Sequence, residues 1–276
     1  MKLEAHGWAL ELLPALGGAI GALRHDGRDV LRPTPAGARD VLETGCFPLV
    51  PYANRIAYGR FGFAGQSHQL PLNFGDHPHS LHGLGWRAEW AVMKTGQDHA
   101  MLVHAHDGRA GWPWAYRAEQ RVVLAPGNVR VELSLTNLAN APMPAGLGLH
   151  PYFPCDAQTR LRFEAEGVWL ADATMLPTEV AVAAHFGDWA AGAVVAGETL
   201  IDNAYEGWHG AARIGQAWGG FTMRGEGAGV LHLFRPSGTD FFCAEPASHL
   251  PDAINRDGMD ALAPGESRTL AMTLNV

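Results

Sequence analysis

An all-β fold, built as a sandwich or a barrel, is what this sequence predicts, and three observations carry the prediction. Thirty-four glycines and eighteen prolines are spread from end to end, so apolar segments are cut to strand length before a helix can propagate. Several segments alternate apolar and polar residues with a period of two, the pattern of a strand with one buried face. Turn signals recur roughly every 8–12 residues, which favours short sequential strands over a β/α alternation.

Taken along the chain, Gly7 to Leu23 is apolar, but Glu11 and Pro14 interrupt it and Glu4 follows Lys2, so it reads poorly as a signal peptide. Gln120 to Leu124 (QRVVL) and Asn128 to Leu135 (NVRVELSL) read as strands. In the second, Val129, Val131, Leu133 and Leu135 alternate with Arg130, Glu132 and Ser134. Arg160 to Glu164 (RLRFE) and Gly229 to Phe234 (GVLHLF) are further strands, while Thr178 to Val195 fits a short helix or two strands. No internal repeat, low-complexity tract or long linker stands out, so one domain over residues 1–276 is the simplest organisation.

Composition narrows the function. With 47% hydrophobic residues the chain can bury a large core, and twenty basic against twenty-eight acidic side chains give a net charge of -8 without any basic block. Nucleic-acid and membrane partners are not expected. Three scattered cysteines, Cys46, Cys155 and Cys243, make neither a disulfide framework nor a CxxC pair, which fits a reduced, cytoplasmic protein.

The chemistry-bearing residues fall in a few clusters. His77, His79 and His82 lie within GDHPHSLHGLGWRAE. His77 and His79 would share a face of an extended segment and, with Asp76 or Glu89, could make a cupin-like metal site. Pro78 between them favours solvated loop histidines instead. His104 and His106 form a second HxH, read as strand-end residues. His82 precedes Gly83 and Gly85, where the backbone can turn tightly against a ligand. His150 in GLGLHPYF precedes Pro151, which holds it extended at a strand end with Leu147 and Leu149 core-directed. A near-neutral imidazole suits proton exchange, although a hydrogen-bonded structural histidine is the alternative at both positions. Glu245 ends the apolar run Phe241 to Ala244, where desolvation would make it a stronger base; a structural ion pair is equally open. Asn54 and Arg55 set an amide beside a guanidinium, a pairing able to hold hydroxyl or anionic oxygens. Asp202 stands near Tyr205 and Trp208, residue types that grip sugars, although Asp-Asn also favours turns. Nucleotide and serine-hydrolase motifs are missing, and DAINRDG (252–258) fails as a calcium loop because Ala253 takes the first ligand position.

Together YANRIAYGRF (52–61), QLPLN (69–73), SLHG (80–83), LGLHPYF (147–153), DNAYEGW (202–208) and EPASHLPDAIN (245–255) resemble, in order and spacing, the aldose 1-epimerase family, the galactose mutarotases. The resemblance implies a large antiparallel β-sandwich and a small-molecule sugar substrate. It further implies Glu245 as general base, His150 as general acid, His82 as a second active-site histidine, and Arg55 and Asp202 as substrate ligands beside Asn54. It implies no cofactor and no metal, and a monomer or homodimer. LHPYF and HGLGW depart from the commonest family patterns, which leaves the sugar open. An anionic sugar would need an added cation, for which Arg24, Arg87 and Arg235 are candidates. A metal-dependent cupin-type enzyme and a non-catalytic carbohydrate-binding module are the competing readings. Catalysis as implied would require Glu245 and His150 to share a cavity, on opposite sides of one pyranose ring.

Overall fold

The computed structural model describes residues 1–256 and 258–276; Asp257, within the DAINRDG stretch, lies outside the described residues. Two large antiparallel sheets, of eleven and nine strands, make up most of the fold. The smaller sheet holds the strand that the sequence marks most clearly. It runs Asn128–Asn137 and sits between Ala115–Ala125 and Ser267–Asn275. Its Val129, Val131, Leu133 and Leu135 are fully buried or nearly so. They join one apolar cluster with Leu149, Phe153, Leu231, Leu233 and Phe242 of the larger sheet, which is how two alternating faces close a sandwich core.

Residues 7–23 contribute two strands of the larger sheet, Trp8–Leu13 and Ala19–His25. The ambiguous stretch after Thr178 resolves as strands, Pro177–Val182 and Ala193–Val194, with no helix between them. Its Gly187 and Gly192 interrupt any helical propagation.

At the centre of the larger sheet, Cys46–Leu49, Gly148–Pro154, Phe241–Ala247, Val230–Arg235 and Ile201–Glu206 lie side by side. Their odd and even residues serve different surfaces. Leu149, Leu231, Leu233, Phe242 and Ala244 point into the sandwich core. Phe47, Tyr152, Ala204, Val230 and Cys243 belong to a second apolar cluster with Trp86, on the outer face. A sheet covered on both faces reads as continuously apolar. That is why the phase of these strands is hard to see in the sequence.

Candidate active site

The outer phase carries the chemistry. Residues at i and i+2 share a face of a strand, so Glu245 follows Phe241 and Cys243, His150 precedes Tyr152, His232 precedes Phe234, and Asp202 precedes Ala204. Register aligns them across the sheet: Gly148 is opposite Ala247 and Tyr152 opposite Cys243, which brackets His150 against Glu245. His232 is itself paired with Glu245. The remaining walls come from loops. Asn54 and His82 both adopt left-handed backbone conformations (φ 57° and 59°). The Arg55–Ile56 strand pairs with Ser80–Leu81, bringing the two loops together. Gly83 follows at φ 71°, where a Cβ would lie 2.3 Å from the Val50 carbonyl oxygen, so the chain passes His82 only because residue 83 lacks a side chain.

These residues line one cavity of about 460 Å³, which contains Asn54, Arg55, His82, His150, Asp202 and Glu245. That volume falls within the ~300–1,000 Å³ usual for small-molecule sites. His150 Nε2 stands 3.4 Å from Glu245 Oε1, and both side chains are buried. They are therefore neighbours on adjacent strands rather than facing groups across a ring, which corrects the opposite-sides expectation. The local placements differ as well: His150 is the third and Glu245 the fifth residue of seven-residue strands, so neither sits at a strand end.

Electrostatics separate the groups. Burial pushes the Glu245 carboxyl well above the ordinary carboxylate range, and the Asp202 charge adds to it. Burial also takes His150 down to about 3, with His232 contributing. It takes His82 well below the ordinary histidine range, with His150 and Arg55 contributing. Each isolated group is thus driven toward its neutral form, whereas an ionised Glu245 beside a protonated His150 gains a mutual attraction at 3.4 Å. His82 Nδ1 accepts the Asn54 backbone N–H at 3.2 Å, which leaves the proton on Nε2. The His150 ring stacks between Phe47 and Tyr152, at centroid separations of 4.5 and 4.8 Å, and so is held in plane.

Asp202 is the hub of the opposite flank. It accepts from Arg55 Nη2 at 2.7 Å and from His232 Nε2 at 2.6 Å. Asn54 Oδ1 accepts from the Arg55 backbone N–H at 2.9 Å and from Nη1 at 3.1 Å, fixing the fork of the guanidinium. Burial raises the Asp202 carboxyl, but the His232 hydrogen bond and charge and the Arg55 guanidinium outweigh it, and the group is held well below its usual range. Sequence reasoning missed His232. No apolar–polar alternation marked it, since His232 shares its phase of GVLHLF with the apolar Val230 and Phe234.

The histidine cluster does not form the metal site that its spacing allowed. His79 is buried rather than solvated, its Nδ1 accepting the Tyr58 N–H and its Nε2 bonded to the Thr174 carbonyl, so both ring nitrogens are occupied. His77 is half-buried and accepts the His79 N–H. Among the described residues, the group close enough to share an ion is His150, Cys243 and Glu245, with ligand atoms within 4.8 Å. Burial pushes the Cys243 thiol far up, which disfavours the thiolate that a metal would need. His104 and His106 fall in the last four residues of His99–Asp107 and are not among the residues lining the cavity. None of the three candidate arginines lines the cavity. Arg24 pairs with Asp29 on the surface, and Arg235 is turned onto the Val195 and Thr199 carbonyls. Arg87 bonds the Asn73 carbonyl over the Trp86 ring.

Comparison with known proteins gives a consistent result. The family model described as aldose 1-epimerase matches residues 12–275. The uncharacterized protein YphB of Escherichia coli strain K12 is 37% identical, over 94% of this chain and 93% of its own. A crystal structure of a candidate aldose 1-epimerase from Escherichia coli K12 superposes with a TM-score of 0.91 at 35% identity, covering 99% of this chain and 97% of that one. A galactose mutarotase-like protein from Clostridium acetobutylicum shares the fold at a TM-score of 0.86 and 20% identity, covering 100% and 95%.

Proposed function

Because this chain belongs to the aldose 1-epimerase family, we propose that it interconverts the α and β anomers of a free aldose by acid/base-catalysed ring opening and reclosure. The observation that carries the reading is the Glu245–His150 pair, 3.4 Å apart in a common cavity. The anomeric hydroxyl and the ring oxygen are both bonded to C1, so a base and an acid that share one cavity can serve the two oxygens together. Glu245 removes the proton of the anomeric hydroxyl while His150 protonates the ring oxygen. The C1–O5 bond breaks and leaves the open aldehyde. Rotation about C1–C2 presents the other carbonyl face, and the reverse transfers close the ring as the other anomer.

The proton inventory balances within the site. Each proton begins and ends on Glu245, His150 or the sugar, so the proposal calls for no cofactor. His82, with its Nε2 proton available, donates to a sugar oxygen. Arg55, Asn54 and Asp202 hold ring hydroxyls, and His232 positions Asp202 through its 2.6 Å hydrogen bond.

Anomer exchange followed by NMR or polarimetry over a panel of aldoses tests the proposal. Acceleration that survives a chelator is the expected result. Binding without acceleration would favour a carbohydrate-binding module, and chelator-sensitive turnover a metal enzyme.

A further inference from the structure

We propose that Tyr152 is a further substrate-binding residue, its phenol donating a hydrogen bond to one of the sugar's non-reacting hydroxyls and so selecting among aldoses. The role rests on the mutarotase reading and deepens it.

The chain has five tyrosines, of which Tyr58 is 53% exposed and can turn its hydroxyl to solvent. Three of the buried ones are bonded within the protein. The Tyr52 hydroxyl lies 2.7 Å from Ser80 Oγ and the Tyr116 hydroxyl 3.1 Å from His104 Nε2, while the Tyr205 hydroxyl accepts from Trp189 Nε1 at 2.7 Å. Buried polar groups are satisfied as a rule, and an exception calls for a physical reason. Tyr152 is the exception. It is 3% exposed and lines the cavity with His150 and Glu245, yet its hydroxyl has no hydrogen-bond partner among the described residues. That oxygen is not one of the unpartnered atoms sealed from solvent, so it opens into the cavity that the residue lines.

The phenol is also held in place. The Tyr152 N–H donates to the Gly45 carbonyl, and the Tyr152 carbonyl accepts the Arg32 N–H, each at 2.8 Å. Its ring is nearly parallel to the His150 imidazole, with an interplanar angle of 19° and centroids 4.8 Å apart. The Arg32 guanidinium approaches to 3.9 Å from the ring centroid and is itself anchored, Nη2 donating to the Leu42 and Thr44 carbonyls at 2.6 and 3.0 Å. Burial keeps the phenol protonated, so it donates at neutral pH. Stacking on His150 puts it within reach of a pyranose that meets His150 and Glu245. Those two side chains serve the reacting oxygens, which leaves Tyr152 a hydroxyl that keeps its bonds throughout the reaction. A sugar without that hydroxyl would leave the phenol unpaired, and sites built to bond a hydroxyl discriminate strongly against analogues that lack it.

The experiment compares wild type with Tyr152→Phe, which keeps the ring and its stacking, on one accepted aldose and its 2-, 3-, 4- and 6-deoxy forms. The readouts are kcat and KM for anomer exchange. On the parent sugar the variant should raise KM about tenfold with kcat within about threefold, the mark of a bond present in ground state and transition state alike. Wild type should lose about tenfold in kcat/KM on one of the deoxy sugars, and on that sugar the variant should equal wild type to within about threefold. That sugar identifies the hydroxyl that Tyr152 bonds. An unchanged KM on the parent, or a variant slowed by the same factor on the parent and every deoxy form, would overturn the role of Tyr152 while leaving the mutarotase reading intact. Failure of wild type to accelerate exchange of any free aldose would overturn both.

Discussion

Asp202→Ala should destabilise the fold by far more than the loss of an ordinary salt bridge. The carboxylate accepts from Arg55 at 2.7 Å and His232 at 2.6 Å, and the three side chains are only 10%, 10% and 5% exposed. Solvent screening therefore offsets little of the change. Removing one partner of a buried pair leaves an uncompensated charge and costs about 3–5 kcal/mol. For a chain of this size that corresponds to a fall in Tm of roughly 6–20 °C. Urea and thermal denaturation of the wild type and variant measure it, with Asp202→Asn, which retains one acceptor oxygen, falling between them. An Arg55→Ala/Asp202→Ala double variant should lose less than the sum of the single losses by about 1 kcal/mol or more. The sign with pH is also fixed. The folded carboxyl is held below its unfolded value of about 3.9. Its contribution is therefore complete above about pH 4 and fades as the pH falls toward the folded value. A loss under about 1 kcal/mol at pH 7, the range of an exposed pair, would refute the reasoning.

Two further predictions concern the scaffold. Gly83→Ala should cost about 1–3 kcal/mol and weaken sugar binding through His82, since φ is 71° and the new Cβ would meet Val50 backbone atoms that cannot rotate away; unchanged urea stability would contradict it. Burial lowers His104 and His249 each to about 4. The unfolded chain, with histidines near 6.5, then binds more protons than the native one. Stability should be greatest above about pH 6.5 and decline as the pH falls toward 4. A Tm that is flat between pH 7.5 and 5 would contradict that account.

The sequence disclosed strands best where only one face is buried. NVRVELSL shows its period because Arg130, Glu132 and Ser134 remain partly exposed while its apolar residues enter the core. GVLHLF and FFCAEPA carry the site, yet both of their faces are covered, so alternation between apolar and polar residues disappears and His232 passed for an ordinary strand residue. Local pattern marked Glu245 and His150 only as candidates, and their roles came from the resemblance; neither the strand-end position nor the facing arrangement survives in the structure. His77 and His79 misled for a different reason. Proline between two histidines argues for an exposed loop, but this loop folds back so that His79 bonds the backbone at Tyr58 and Thr174. Tertiary hydrogen bonding of that kind leaves no periodic trace.

The central claim, that Glu245 is the base for anomer exchange, is tested most directly by NMR exchange rates for wild type and Glu245→Gln on one accepted aldose. Wild type should accelerate exchange. The amide should lower the rate about 10²–10⁴-fold while leaving sugar affinity nearly unchanged. A variant that retains exchange within about tenfold of wild type would place the base elsewhere.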